Sequence, residues 1–294
     1  MWSNRELYLM LLLPLAWYLV FHYLPLYGVQ IAFRDYYPSQ GFFGSRFVGF
    51  KHFQRFFRSF YFERVLTNTL SINLTMLAVG FPTPVLFALV LNEIKHSRYK
   101  KLVQNVTYIP HFLSAVVLVS ILQMLLNPHT GVVNMVLKAM GRPVANLLIV
   151  PGAFKPLYVF SGLWQNLGWD SILYIAGLAG IDSTLYEAAT IDGASRFRKM
   201  IHISLPGIAP TVVIMLLLRT GQIMNIGYEK VLLMQNPLNM SSSDVISTFV
   251  YRSGILEADY SFSTAVGLFN SVCNFMLLIL ANTVSRRVGE TSLW

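Results

Sequence analysis

Two apolar runs of this 294-residue chain are interrupted by side chains capable of chemistry. The first, "LWQNLGWD", holds Trp164, Gln165, Asn166, Trp169 and Asp170. The second holds Arg219, Gln222 and Asn225, with Tyr228 just beyond. Spacing by three puts Arg219, Gln222 and Asn225 on one face of a helix. Carboxamides read hydroxyls, indole planes cover the apolar faces of sugar rings, and a guanidinium matches a carboxylate. Polar groups at membrane depth tend to face an interior or a watery cavity. The same amides could instead bond helix to helix, with the tryptophans in an interfacial belt. Arg219 could bridge to Asp170, or it could meet a carboxylate on a substrate.

Other chemistries have no motif to support them. The six histidines are scattered, without H-E-x-x-H or another paired spacing that would suggest a metal site, and there is no G-x-S-x-G. The chain lacks a Gly-Lys dipeptide, so it cannot hold a P-loop of the G-x-x-x-x-G-K-[ST] type. No block of Lys and Arg with interleaved aromatics suggests a nucleic-acid groove. Cys273 is the single cysteine and forms no internal disulfide.

The elements that must position these residues are membrane-like. The chain is 55% hydrophobic and only 12% charged, against roughly 25% charged in soluble domains. Stretches of about 20 apolar residues are read as membrane spans. Six qualify, near 7–31, 66–91, 105–126, 156–180, 206–227 and 262–285. The first exceeds a signal-peptide core and has no small-residue cleavage site, so it reads as an uncleaved span. The composition therefore predicts an all-α polytopic membrane protein, one transmembrane domain over 1–294. Phe50, Phe53, Phe56, Phe57 and Phe60 near helical spacing, with Arg55 and Arg58 among them, predict an amphipathic interfacial segment at about 45–64. With both termini taken as cytoplasmic, the Lys and Arg residues outside the spans divide ten against eleven between the two sides. Orientation by basic residues therefore stays open, although Lys95–Lys101 and the Arg286-Arg287 end favour termini inside.

Between the fourth and fifth spans lies "DSTLYEAATIDGASRFRKMIHISLP", residues 182–206. Thr184 and Glu187 form a capping-box pattern. Gly193 after Asp192 suits a helix end. A second short helix follows, and Pro206 suits the first turn of the next span. An ordinary connector would also explain these features. The pattern Glu187-Ala188-Ala189 through Asp192-Gly193-Ala194 to Ile203-Ser204-Leu205-Pro206 resembles the EAA loop of ATP-binding-cassette importer permeases. "FVGFKHFQRFF" with "RVLTNTL", and "YIPHFLSAVV", resemble further segments of sugar-importer permeases. The resemblance covers most of 45–285.

That resemblance implies a type I importer permease with six spans. It makes about 182–205 a cytoplasmic coupling loop, with both termini cytoplasmic, in the bacterial inner membrane. It implies a second homologous permease, two ATP-binding-cassette ATPase subunits that carry ATP and magnesium, an extracytoplasmic solute-binding protein, and membrane lipid around the chain. The chain itself would bind no cofactor or metal, hold no catalytic residue, and contact no nucleic acid. Substrate contacts would come from the regions of Gln165, Asn166, Trp169 and Asp170 and of Arg219, Gln222, Asn225 and Tyr228. Within the family the pattern is similar to the first permease subunit of alginate importers. Arg219 and the basic 34–64 segment tilt the substrate toward an acidic oligosaccharide. A stand-alone secondary transporter, with Asp170 as its one acid within a span, is the alternative. An assembly protein without a pathway is a further one.

Overall fold

The structure, a computed structural model, describes residues 5–288; the expected domain's first four and last six residues lie outside it. The described chain is almost wholly helical. Its one sheet is a two-residue antiparallel pair, β1 (Arg34–Asp35) with β2 (Arg46–Phe47).

Four helical stretches are long and apolar enough to cross a membrane: Glu6–Phe33, Tyr61–Asn92, Arg196–Thr220 and Tyr260–Arg287. A fifth arises if Ser97–Phe112 and Ala115–Leu125, bent by 102° at their junction, make one broken span. The expected six are thus corrected to four or five. The expected fourth span is the helix Pro151–Ala179, whose 29 residues give a length of about 44 Å. It misses only on apolarity, because Lys155, Gln165, Asn166 and Asp170 interrupt it. The expected third span is the broken one. Pro110 sits in a short 3-10 turn, Leu113 is extended, and the Ser114 hydroxyl caps the next helix through the Val117 N–H.

The spans are not regular throughout. Leu19–Tyr23, Met76–Gly80 and Met200–Ser204 are π-helical turns. Each ends two residues before a proline: Pro25, Pro82 and Pro206. Proline has no N–H to donate and its ring crowds the carbonyl four residues back. A wide turn just upstream moves that carbonyl aside, so the helix continues where it would otherwise break.

Two compact units are present. One comprises residues up to Phe62 together with Phe249–Ser271. Its core is aromatic: Phe56, fully buried, has the Phe62, Phe249, Phe262 and Phe269 rings 5.0–6.3 Å away. The expected amphipathic segment at 45–64 is a separate short helix over Lys51–Phe57, and from Tyr61 it already belongs to the next long helix. Its anchor Phe56 is buried in protein, whereas Phe50, Phe57 and Phe60 are exposed.

The other unit comprises Glu63–Thr248 and the chain from Val272 onward. One of its apolar clusters joins Ile72, Val119, Phe154 and Val231, and another joins Ala88, Leu89, Tyr174 and Ile208. At its edge Arg64 pairs with the wholly buried Asp244 at 2.6 Å.

Candidate functional site

The polar residues singled out in the sequence fall into two groups, both in the second unit. Asp170, Arg219, Gln222 and Asn225 line one cavity of about 100 Å³, together with Asn73, Met76 and Gly80 of the second span. Its charged pair is Arg219 Nη2 to Asp170 Oδ2 at 2.7 Å. The Arg219 side chain stays 44% exposed and that of Asp170 21%. The guanidinium therefore has donors to spare beyond its bridge, since it carries five N–H groups in a fixed fork. The cavity falls below the roughly 300–1,000 Å³ of ordinary ligand pockets. By itself it accommodates a polar substituent rather than a ring.

The helical face expected for Arg219, Gln222 and Asn225 is built differently. The helix stops at Thr220. Three-residue turns follow: Gln222 N donates to Arg219 O, Ile223 N to Thr220 O, and Asn225 N to Gln222 O, at 2.8–3.2 Å. In such turns side chains three apart eclipse, so the three still share one side. Gly221 lets the last helix approach closely. A Cβ there would lie 2.9 Å from Leu278 Cδ1 of the last helix. That helix also holds the new segment, because Asn274 Oδ1 accepts from Met224 N and Asn274 Nδ2 donates to Asn225 Oδ1. Asn73 Nδ2 donates to Ile223 O at 2.6 Å from the opposite wall. Asn73 and Asn274 were missed in the sequence, although an amide in mid-span is itself a signal.

Gln165, Asn166 and Trp169 do not line this cavity. They secure the break between Ser97–Phe112 and Ala115–Leu125. Gln165 Nε2 donates to Leu113 O at 2.9 Å, satisfying a carbonyl at the junction. His111 Nδ1 lies 2.9 Å from Asn166 Oδ1, and its ring stacks on Trp169 with centroids 4.2 Å apart. Irregular backbone at membrane depth needs such partners. Gly168 admits the contact: a Cβ there would lie 2.4 Å from Thr107 O. Tyr228 also lies outside the cavity, exposed at the first residue of the helix Tyr228–Met234.

The Glu187 loop folds as a helical hairpin. Its first helix is Ser183–Ile191, and its N-cap is Asp182 rather than Thr184. Asp182 Oδ1 accepts from Thr184 N at 2.9 Å, which holds its carboxyl below the ordinary value. The capping-box expectation is thereby shifted by two residues: Thr184 lies inside the helix, and Glu187 is beyond the first turn. The far end is as expected. Gly193 has φ +75°, Gly193 N donates to Thr190 O, and Ala194 N donates to Ala189 O. These are the two bonds of a Schellman motif.

A second helix starts at Arg196, capped by the Ser195 hydroxyl. It runs through the Met200–Ser204 π turn into the next span. Lys199 Nζ donates to Thr190 Oγ1, and Tyr186 Oη meets Ser204 Oγ, so side chains tie the two arms together. No residue of the first helix is buried. Glu187, Ala188, Asp192 and Gly193 are exposed, Ala189 and Ala194 partly so. Ile191 stands 87% exposed and Phe197 66%.

The chain matches, over residues 65–290, the family described as "Binding-protein-dependent transport system inner membrane component". It is 42% identical to the protein LplB of Bacillus subtilis over 99% of this chain and 92% of that protein. It is 40% identical to the polygalacturonan/rhamnogalacturonan transport system permease protein YteP of the same bacterium, over 99% and 91%. Among solved structures it resembles a chain of a bacterial alginate ABC transporter in complex with an alginate pentasaccharide-bound periplasmic protein. There the TM-score is 0.91 at 39% identity, covering 99% of this chain and 97% of the other.

Proposed function

This chain belongs to the family of binding-protein-dependent transport system inner membrane components, and from that premise we propose that it forms half of the translocation path of an ATP-driven importer of acidic oligosaccharides. As a permease subunit it has no ATPase activity of its own. A second, homologous permease completes the path. Two ATPase subunits, bearing ATP and magnesium, dock on the 182–205 loop, and an extracytoplasmic binding protein delivers the saccharide. The alginate and polygalacturonan/rhamnogalacturonan transport of its relatives supports that substrate class.

The observation that carries the coupling role is the hairpin at Ser183–Lys199. It is capped at both ends and tied arm to arm, yet it leaves Glu187 and Ile191 exposed. A stable knob with an apolar tip is what a partner's cleft requires. Closure of two ATPases would push this knob, and the spans would shift between two packings. On this reading the loop is cytoplasmic, both termini share its side, and the membrane is the inner membrane. Pro151–Ala179 is then a polar-lined span and Ser97–Leu125 a broken one, which restores six crossings. Arg219 and Asp170 stand in the path, with Gln222 and Asn225 beside them. Gln165, Asn166 and Trp169 support its wall, and Tyr228 stands at its end.

The test is purification in mild detergent with identification of co-purifying chains by mass. A P-loop ATPase and a second EAA-bearing permease are expected. Recovery of the folded chain alone would overturn the proposal in favour of a secondary transporter working through Asp170.

A further inference from the structure

The unit that holds Phe56 has a basic cleft that the proposed path does not use. Its volume is about 520 Å³, within the range of ordinary ligand pockets. Arg55, Arg58 and Arg252 line it, with Tyr61, Phe249 and Phe262 among its aromatic walls. Glu257 is the one carboxylate in the lining. Asp259, outside the lining, already takes Arg55 at 2.6 Å.

The cations are of different kinds. The Arg55 guanidinium lies 4.3 Å from the Phe262 ring centroid and that of Arg252 5.5 Å from the Phe249 ring centroid. A guanidinium on a ring face is held in place by the ring's negative face. Arg58 is exposed and has no hydrogen-bond or ion-pair partner among the described residues. Three arginines against one lining carboxylate leave net positive charge in a concave, partly apolar space.

We infer that this cleft is a second saccharide site, which takes a uronate ring by its carboxylate on the Arg58 guanidinium and by its ring face on the aromatic wall. The inference rests on the proposed importer, and places the cleft on the side from which substrate arrives, since it precedes the last span and follows the first. A docking face for a folded protein would be flatter and larger, about 800 Å² per partner. A ligand-sized hollow with planar cations suits a small polyanion better. Its role would be capture of an acidic chain ahead of transport.

The test is titration of trigalacturonate, with maltotriose as the neutral control, into the purified whole complex in phosphatidylcholine nanodiscs. Asp170→Asn/Arg219→Gln is the background, so that the intramembrane cation does not contribute. Trigalacturonate should bind at least tenfold more tightly than maltotriose. Arg58→Gln should weaken it by about tenfold, as expected for one charge-assisted hydrogen bond, and Arg58→Lys should restore most of the affinity. Absence of trigalacturonate binding, or binding indifferent to Arg58→Gln, overturns the site. So does an equal loss for maltotriose, Arg58-dependent retention of phosphatidylglycerol in its place, or an Arg58 effect confined to capture of the delivery protein. ATP-driven uptake by the wild-type complex tests the importer separately. Uptake without binding in the cleft removes only this inference, whereas failure to import any saccharide removes the proposed function.

Discussion

Replacing Arg219 by Gln separates two roles of the 2.7 Å bridge to Asp170. Two unit charges about 4 Å apart attract by about 1 kcal/mol in water and about 4 kcal/mol at an effective dielectric of 20. Breaking a fully buried pair costs about 3–5 kcal/mol, because one charge is stranded. With 44% of the Arg219 side chain exposed, solvent screens the pair, and a loss of about 1–2 kcal/mol in stability is expected. A substrate carboxylate that loses its guanidinium gives up a further ~1.5–3 kcal/mol, about 10- to 150-fold in half-saturating concentration. The discriminating variant is the double one, Asp170→Asn/Arg219→Gln. It strands no charge, so stability should return to within about 0.5 kcal/mol of the native protein. In proteoliposomes it should regain uptake of a neutral trisaccharide but stay at least tenfold impaired for a uronate trisaccharide. Recovery of both substrates would refute the reasoning and leave the bridge purely structural.

Three further outcomes follow from the geometry. Glu187→Lys, on an exposed helix with no buried residue, should release the ATPase subunits in pull-down while stability stays within about 0.5 kcal/mol; retained coupling would count against the docking role. Gly168→Val must displace the Thr107 carbonyl, which a Cβ would approach to 2.4 Å; a thermal-shift assay should show a loss of at least ~1–3 kcal/mol, and a native-like melt would contradict the close approach. The Asp182 cap lowers that carboxyl below its ordinary value of 3.8. Its contribution is therefore complete above that pH and disappears as pH falls through the lower folded value; protection of the Thr184 amide, taken relative to its intrinsic exchange rate, should fall only below pH 3.8, and a loss of protection above it would remove the cap from the account.

The Glu187 loop was the most legible part of the sequence because its signals are local. Gly193 tolerates φ +75° where a Cβ would not, so its place at the helix end could be read directly. The start was ambiguous: Asp182 and Thr184 are both good N-cap residues, and pairing Thr184 with Glu187 selected the wrong one. Spans were legible as apolar runs but not as shapes. Hydropathy does not register the bend at Leu113–Ser114, and Pro151–Ala179 is long enough but too polar to pass. The Arg219-Gln222-Asn225 spacing gave the correct shared side through the wrong structure, because the helix ends at Thr220 and three-residue turns follow. The partners that fix the site, Asn73, His111 and Asn274, come from three other elements, and only tertiary packing brings them together.

The three π turns ahead of Pro25, Pro82 and Pro206 act on a helical wheel as an inserted letter acts on a reading frame. One extra residue in a turn advances everything downstream by about 100°. A wheel drawn straight through Arg196–Thr220 would therefore assign Arg219 to the wrong sector relative to Arg196 and Lys199, and the same holds for Tyr61–Asn92 on either side of Met76–Gly80. Each of these spans has two phases, joined at a seam. Comparisons among relatives, scanning mutagenesis and designed grafts across such a seam need to be read as two independent registers, because a one-residue deletion inside it would rotate one half of the span against the other while leaving its composition almost untouched.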